Sequence, residues 1–303
     1  MIDFKTLTPA DRSRYEATLR NSGERGCEYG FTNLYMWGRQ KMAFLQDHAV
    51  YFSQFNRKSV YLFPAGDGDK KPIIEAIMED AKERGIPCRL TGLTQADWQW
   101  LDETFPNRFR CHCDRDSFDY IFDINDLSEL KGRKFQKKRN HLNRFRAEHP
   151  DCQLVPITAE TLPRIQDMAK KWYELRLQDN PHGDYHLEKA ALEKAFRDFE
   201  ALGLEGLYLE ENGDILAFAI GSPLSGNTFD IHFEKALIAN DGTYAAINQG
   251  FAAHLRDKYP HLEWLNREDD MGLEGLRKAK LSYNPHHMVE KHWACLLEDG
   301  YDY

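Results

Sequence analysis

The chain lacks the hydrophobic segments used for membrane insertion and secretion. No apolar run approaches the roughly 20 residues that cross a bilayer. The N-terminus, Met1 to Lys5, does not show the basic and then apolar order of a signal peptide. We therefore expect a cytoplasmic protein with no transmembrane segment, whose only membrane contact would be peripheral.

Cysteine is scarce and scattered. The six cysteines are Cys27, Cys88, Cys111, Cys113, Cys152 and Cys295. A chain of 303 residues can fold without disulfides, so we expect reduced thiols. The string Cys111-His112-Cys113-Asp114 contains zinc-ligand types, but no second cysteine pair follows at zinc-site spacing. The sequence therefore predicts no metal site.

Positive charge is in deficit overall. Lys and Arg number 40 against 49 Asp and Glu, which gives a formal charge of −9 and argues against a general nucleic-acid coat protein. Any polyanion must therefore bind to a local cluster of positive charge. Hydrophobic residues at 42% are enough to build real cores, and the length predicts two domains.

One stretch, Lys131 to Arg146, contains eight Lys and Arg residues and no Asp or Glu. Read as a helix at about 100° per residue, it has an apolar stripe of Phe135, Leu142 and Phe145. The candidate phosphate-binding residues of this stretch are Arg133, Lys137, Lys138, Arg139, Asn140 and Arg144. Such a helix indicates a site for the phosphates of a nucleotide, a tRNA or a lipid head group. The alternative is a solvated charged linker helix.

The order of predicted elements is the same in the two halves of the chain. The first half reads β, α, α, β, β, β, α, β, α, β, β, with its last two strands paired within residues 109–124. In the second half, Asn212-Gly213 predicts a hairpin, and residues 288–297 are expected to close the second sheet. We place the domains at residues 1–127 and 128–303, the second beginning with the basic linker helix 131–146.

This order is similar to the GNAT acyltransferase fold, and a tandem pair resembles the Fem-type aminoacyl-tRNA-dependent transferases. The strings LKGRKFQKKRNHLN (130–143) and NREDDMGLEGLRKAKLSYNP (266–285) resemble signature segments of a bacterial family grouped with the C-terminal domain of phosphatidylglycerol lysyltransferase. The resemblance implies an α/β (α+β) fold of two tandem GNAT-like domains. Each would be a mixed, mostly antiparallel sheet flanked by helices.

The strand 229–235 alternates strictly, so Asp230, His232 and Glu234 share one face. We interpret this row as a sign of exposure, because a fully buried strand would not carry it. The resemblance places the strand beside the acyl-donor cleft, where a carboxylate or histidine can accept a proton from the acceptor amine. The alternative is an ordinary half-exposed strand.

The charged string 266–270 follows a predicted strand, at the end of the sheet where ligands bind. Arg267 would hold a carboxylate or phosphate, while Glu268 or Asp269 orients an amine. The alternative is an exposed loop. On the next helix, the candidates that extend the positive surface are Arg277, Lys278 and Lys280. The resemblance implies that Tyr283 donates a proton to the leaving group, although it could equally be a packing residue.

The loop 236–244 offers one glycine and no arginine, and Asp241 would repel a pyrophosphate, so coenzyme A is the weaker donor candidate. Asp241 or Thr243 would instead cap a helix. The first hypothesis is a transferase that moves an aminoacyl group from aminoacyl-tRNA to an amine or hydroxyl acceptor, a lipid head group included, without a cofactor. The alternatives are a CoA-dependent N-acyltransferase and a non-catalytic module that binds RNA or anionic lipid.

Overall fold

The protein contains both helices and strands in a computed structural model that describes residues 1–38, 40–55, 58–179, 185–237 and 240–297. The strands are β1 (Lys5–Thr6), β2 (Gln40–Leu45), β3 (His48–Phe55), β4 (Lys58–Gly66), β5 (Arg89–Leu93), β6 (Phe109–Cys113), β7 (Asp119–Asp123), β8 (Gln153–Pro156), β9 (Glu205–Glu211), β10 (Asp214–Ser225), β11 (Thr228–Ala236), β12 (Trp264–Asn266), β13 (His287–Val289) and β14 (His292–Leu296). The helices are α1 (Arg12–Leu19), α2 (Phe31–Trp37), α3 (Lys71–Arg84), α4 (Gln95–Thr104), α5 (Ile124–Glu129), α6 (Gln136–Glu148), α7 (Leu162–Asp179), α8 (His186–Arg197), α9 (Asp241–Lys258) and α10 (Glu274–Leu281). Short 3₁₀ turns lie at Pro9–Asp11, Cys27–Tyr29, Arg115–Ser117 and Arg133–Phe135.

The strands form two sheets of the same topology. The first has the order β1-β2-β3-β4-β5-β14-β6 and the second, read from its other edge, β8-β9-β10-β11-β12-β7-β13. Antiparallel pairing prevails among the described strand pairs of both sheets. A parallel pair also occurs in each sheet, β4 with β5 and β11 with β12. The predicted fold class of mixed, mostly antiparallel sheets flanked by helices is confirmed.

Each sheet takes one strand from the other half of the chain. Strand β7 pairs with β12 in the second sheet, and β14 lies between β5 and β6 in the first. The predicted pairing of the two strands within residues 109–124 is therefore wrong. The prediction that residues 288–297 close the second sheet is also wrong for β14, although β13 does belong to that sheet.

The chain contacts divide the protein into two units. The first consists of residues 1–119, 269–273 and 288–303, and the second of residues 120–268 and 274–287. The boundary predicted between residues 127 and 128 departs from this division in three places. Residues 120–127 belong to the second unit, whereas residues 269–273 and the strand β14 belong to the first. Periodicity locates strands but does not show which sheet a strand joins, because that choice depends on contacts distant in sequence.

The cores are built from the apolar faces that the sequence predicts. In the first unit, Ile73, Ile74 and Ile77 of α3 are buried against β3, β4 and β5. In the second unit, the stripe of Phe135, Leu142 and Phe145 is buried, which confirms that the basic stretch is helical and packs along one side. The hairpin at residues 212–213 joins β9 to β10 as predicted.

Candidate functional site

The candidate site lies in the second unit, where the parallel strands β11 and β12 separate. Their pairing ends at Asp230 and Asn266; β12 stops there, whereas β11 continues to Ala236. His232 has no partner on β10, because Phe233 pairs with Ile220 and Ile231 with Gly221, so a β-bulge falls at this position. Bulges re-aim side chains and are common beside active sites.

An ion pair between Arg267 and Glu234 forms the centre of what we call the Arg267 cluster. Asn248 of α9 donates to Glu234 Oε1 at 3.0 Å, and the Arg267 guanidinium carbon lies 5.1 Å from the centre of the Tyr283 ring. On the same ring, Lys138 Nζ lies 3.7 Å from the centre. The cluster thus joins β11, the segment after β12, α9 and the basic helix α6. It contains four residues that the sequence assigned to separate motifs, Glu234, Arg267, Lys138 and Tyr283.

Burial sets the protonation of two members of this cluster. It lowers the pKa of Lys138 to about 8, and the neighbouring Arg267 and Lys137 act in the same direction, against Asp241. Burial also raises the pKa of Tyr283, whose hydroxyl therefore keeps its proton at neutral pH. That hydroxyl makes no hydrogen bond to another described residue. Arg267 Nη1 is buried and has no hydrogen-bond partner in the described chain. A buried polar group without a partner is rare in folded proteins and is a candidate for binding a ligand.

A second group, the His232 cluster, consists of Ser222, Asp230, His232 and Glu268. His232 Nε2 lies 2.9 Å from Ser222 Oγ, and Nδ1 lies 3.2 Å from Glu268 Oε1 and 3.6 Å from Asp230 Oδ2. The side chains of Asp230 and His232 are 1% and 2% exposed, whereas that of Glu268 is 20% exposed. Glu268 is therefore the member that a substrate can reach directly.

The exposure inferred from the polar row is wrong, because β11 is buried along almost its whole length. These polar side chains can be buried because they have polar partners. His232 has its partners in its own cluster, and Glu234 has Arg267 in the ion pair. The bulge at His232 also interrupts the strict alternation on which the inference depended.

The segment after β12 divides its charged residues between the units. Glu268 adopts a left-handed backbone with φ of 56°, a conformation that costs a non-glycine residue about 1–3 kcal/mol, and its N–H donates to Asn266 Oδ1 at 2.7 Å. Asp269 belongs to the first unit, so it stays outside the cluster described above. Lys280 is buried and donates to the Arg267 carbonyl at 2.5 Å, which fixes the backbone that carries the guanidinium.

The basic residues of α6 and its 3₁₀ turn differ in their surroundings. Arg139 donates to the carbonyls of Leu130 and Gly132, which holds the turn before the helix. Lys131 and Lys134 form ion pairs with Glu129 and Asp126, each at 2.6 Å. Arg133 and Lys137 are exposed, as are Asn140, Arg144 and, on α10, Lys278, whereas Arg277 is half-buried. The exposed members are the ones placed to meet an external polyanion.

The N-terminus of α9 is capped by Asn240, whose Oδ1 accepts from Thr243 N at 2.8 Å, and not by Asp241 or Thr243 as predicted. Helix α6 packs close to this end. A Cβ on Gly242 would lie 3.2 Å from both the His141 carbonyl and Phe145 Cβ, so the single glycine of the loop serves helix packing. Ile238 and Ala239 of the predicted donor loop lie outside the described residues.

Sequence reasoning missed a buried lysine on β11. Lys235 Nζ donates to Glu188 Oε1 at 2.7 Å and lies 4.0 Å from the centre of the Trp172 ring, and burial lowers its pKa. Tyr173 donates to the same carboxylate oxygen at 2.8 Å. The signal in the sequence was a lysine near the end of a predicted strand, flanked by Glu234 and Ala236.

The corresponding opening of the first sheet is filled by the protein itself. Strands β4 and β5 pair in parallel up to Leu62 and Thr91, and Tyr29 Oη then lies 3.0 Å from the Phe63 carbonyl and 3.1 Å from the Gly92 carbonyl. A Cβ on Gly92 would lie 3.0 Å from the Tyr29 ring. The tyrosine therefore occupies the point at which the strands separate, and the first unit offers no comparable opening there.

Comparison with known proteins identifies a family that this chain matches. The model of the phosphatidylglycerol lysyltransferase C-terminal family matches residues 19–295. A conserved protein of unknown function from Bacteroides thetaiotaomicron is 39% identical, with a TM-score of 0.91 over 98% of this chain and 100% of that one. L-PGS from Bacillus licheniformis is 17% identical, with a TM-score of 0.68 over 98% and 94%. FemX is 10% identical, with a TM-score of 0.58 over 98% of each chain.

A curated protein of Mycoplasmoides gallisepticum is 26% identical over 180 residues, which are 58% of this chain and 55% of that protein. The chain thus spans about half the length of the curated relative that it matches. A protein described as a tandem GNAT protein of the clavulanic acid biosynthesis pathway shares the fold, with a TM-score of 0.50 at 7% identity. The predicted tandem GNAT-like architecture is confirmed.

Among the described residues, no helix combines the length and apolar character that a membrane span needs. The family model matches nearly the whole chain, including both of the signature strings. The chain belongs to the family of phosphatidylglycerol lysyltransferase C-terminal domains.

Proposed function

We propose that the second unit transfers an aminoacyl group from aminoacyl-tRNA to an amine or hydroxyl acceptor, a lipid head group being one candidate. The observation that carries this proposal is the Arg267 cluster. Beside the point where β11 and β12 separate, it contains an arginine nitrogen and a tyrosine hydroxyl that have no hydrogen-bond partner among the described residues. Ligands of open sheets bind at such points beyond the carboxyl ends of parallel strands.

The basic helix supports a polyanionic donor. Lys138 belongs both to α6 and to the Arg267 cluster, so phosphates bound along α6 would lie next to the reacting groups. The donor end of a tRNA carries its ester beside a run of phosphates, which matches this arrangement. Arginine and lysine side chains bind phosphate oxygens through charge-assisted hydrogen bonds.

Two features at the start of α9 favour this donor over acyl-CoA. The backbone at Gly242 is covered by α6, and Asp241 is exposed at the helix N-terminus, where a pyrophosphate would otherwise bind. A carboxylate at that end competes with a phosphate for the same helix dipole. The CoA-dependent reaction therefore remains the second candidate.

The reaction requires little beyond alignment, because the ester of the donor is already activated. The acceptor nitrogen or oxygen forms a bond with the ester carbonyl carbon, and the bond from that carbon to the ribose oxygen breaks. Arg267 Nη1 donates to the oxygen on which negative charge develops, an interaction that gains most in the transition state. Tyr283 gives its proton to the departing ribose oxygen.

The acceptor must lose a proton, and Glu268 is the carboxylate placed to take it. Glu234 is engaged by Arg267 and Asn248 and is 12% exposed, whereas the Glu268 side chain is 20% exposed and lies 3.2 Å from His232 Nδ1. His232 and Asp230 are too deeply buried to meet a substrate, so they act as positioning residues behind Glu268. The proton taken by Glu268 replaces the one lost by Tyr283 through solvent.

The test is a filter-binding titration of the purified chain against aminoacylated and deacylated total tRNA at two salt concentrations, with labelled acetyl-CoA as a parallel ligand. We expect salt-sensitive binding with a preference for the aminoacylated form, since counterion release makes phosphate binding fall with salt. Acetyl-CoA binding without tRNA binding would reject the donor proposed here and favour a CoA-dependent acyltransferase. Affinity for tRNA that does not change with salt would also contradict the proposal.

A further inference from the structure

A cluster of metal-ligand side chains lies in the first unit, at the edge strand β6 and its neighbour β14. Cys113 of β6 is paired directly with His292 of β14, and Glu290 comes two residues before the histidine. One potential ligand atom from each of Cys113, Glu290 and His292 lies within 4.8 Å of the other two. Directly opposed residues of antiparallel strands present their side chains on the same face, which explains the proximity.

The histidine has one nitrogen engaged and one without a partner. His292 Nδ1 lies 3.7 Å from Cys111 Sγ, which holds the ring in place. Nε2 has no hydrogen-bond partner among the described residues, and His292 is only 6% exposed. Metal-bound histidines typically have this arrangement, with the second nitrogen oriented by a neighbouring group.

The other two members are accessible, and neither is paired with a basic side chain. Cys113 and Glu290 are both exposed, and neither side chain forms an ion pair or hydrogen bond with another described residue. A thiol and a carboxylate therefore lie together without a lysine or arginine bound to either. Thiolate, imidazole and carboxylate are the three ligand types of zinc sites.

We propose that Cys113, Glu290 and His292 bind a divalent transition-metal ion, with Zn²⁺ as the expected occupant, and that Cys111 is a positioning residue for His292. Three protein ligands leave a fourth position open to water on the exposed side. Zinc bonds of about 2.0–2.3 Å separate neighbouring ligand atoms by roughly 3.4–3.8 Å. The cluster therefore closes by small rotations of the two exposed side chains. This site belongs to the first unit, and the proposal does not rest on the transferase activity proposed for the second.

The test uses the full chain, stripped with a chelator and kept reduced, and titrated with Co²⁺ and then with Zn²⁺. We expect one equivalent of Co²⁺ to produce a thiolate-to-cobalt charge-transfer band that Zn²⁺ abolishes. Cys113→Ser should remove the band and, like Glu290→Gln and His292→Gln, weaken Zn²⁺ binding by more than about 100-fold. Cys111→Ser should keep the band and weaken binding by about 10–100-fold, the range for outer-shell partners.

Two matched controls isolate the site. His112 lies between the two cysteines on β6 but is paired with Trp293, on the opposite face from His292, so His112→Gln should bind like the wild type. Cys152→Ser removes a thiol of the second unit and should also leave the titration unchanged. A wild-type chain without the cobalt band, or a Cys113→Ser or Glu290→Gln variant that binds as the wild type does, would overturn the proposal. Both residues are exposed, so these two variants are expected to fold.

Discussion

At the scale of single residues, Lys138 shows how surroundings decide charge. Its ammonium lies over the Tyr283 ring and near the Arg267 guanidinium, and burial is the largest cause of its lowered pKa. A lysine with a pKa of about 8 is still mostly protonated at neutral pH. It thus supplies positive charge to the site at a cost to the folded state.

That cost predicts a pH dependence of stability. Between pH 8 and 10.5 the unfolded chain holds the Lys138 proton more tightly than the folded chain does, so the free energy of unfolding should rise with pH in this window. Below pH 8 the penalty is present in full. Urea denaturation should show that Lys138→Met loses this rise, whereas Lys131→Met, at an exposed position of the same segment, retains it. Equal slopes for wild type and Lys138→Met would contradict the prediction.

Tyr283 offers the sharpest test of the chemistry. Tyr283→Phe removes a hydroxyl that has no hydrogen-bond partner in the described chain, so stability should change by less than about 0.5 kcal/mol. Aminoacyl transfer should nevertheless slow by about 10²–10⁴-fold, the usual contribution of a positioned acid. Single-turnover transfer and tRNA binding should be measured together, with Tyr259→Phe as the control. Transfer at the wild-type rate would remove the tyrosine from the mechanism.

The sequence predicted well which residues belong to the candidate site, and less well which of them lie together. Tyr283, Arg267 and Lys138 were candidates in three separate motifs, and the structure brings them into one cluster. The metal-ligand group was not predicted, since the partners of Cys113 come from a strand about 180 residues later in the chain. Cysteine spacing along the sequence does not reveal a glutamate and a histidine that lie across a strand pair from a cysteine.

At the scale of elements, α6 has separate structural and external functions. Arg139 supports the turn before the helix, so its loss would affect the fold as well as binding. Arg133 and Lys137 are exposed and have no ion-pair partner in the described chain, which makes them the better probes of phosphate binding. A substitution at Arg139 cannot separate the two functions.

Replacing both Arg133 and Lys137 should weaken the binding of every tRNA, whatever its sequence, and should reduce the dependence of the affinity on salt. Each lost phosphate contact lowers the slope of log affinity against log salt by about one, so Arg133→Ala with Lys137→Ala should lower it by about two. Lys170→Ala with Lys171→Ala makes the same change of net charge at exposed positions of α7. If this control lowered the slope equally, α6 would have no special place in binding.

The strand β11 shows why the local pattern was insufficient. Its alternation of apolar and polar residues is typical of a half-exposed strand, but tertiary contacts bury both faces. The polar members are accommodated by partners from β10, α9 and the segment after β12. None of these partners is near β11 in a short sequence window.

At the scale of the whole molecule, the exchange of β7 and β14 makes each unit depend on both halves of the chain. The sequence predicted the element order and fold class, because helical and strand periodicities are local. It did not predict the exchange, because a strand placed in either sheet has the same periodicity. The family resemblance depends on two short strings of sequence, so it could be recognised without knowledge of either sheet.

The exchange predicts that the two halves of the sequence do not fold separately. Residues 1–127 lack β14, which lies between β5 and β6, and residues 128–303 lack β7, which pairs with β12. Neither fragment should show cooperative unfolding alone, while co-expression of the two should restore it. Circular dichroism of the separate and mixed fragments is the measurement. A cooperative transition for residues 1–127 alone would show that β14 is dispensable to the first sheet.

The position of β14 also has a consequence for synthesis. Translation proceeds at about 5–20 residues per second, so roughly 10–40 s pass between the emergence of β6 and that of β14 from the ribosome. During that interval β5 and β6 have edges with unmade hydrogen bonds, which are templates for aggregation. A nascent chain of this protein therefore needs protection until β14 arrives, and codon changes that slow the synthesis of the second half should lower the yield of folded protein.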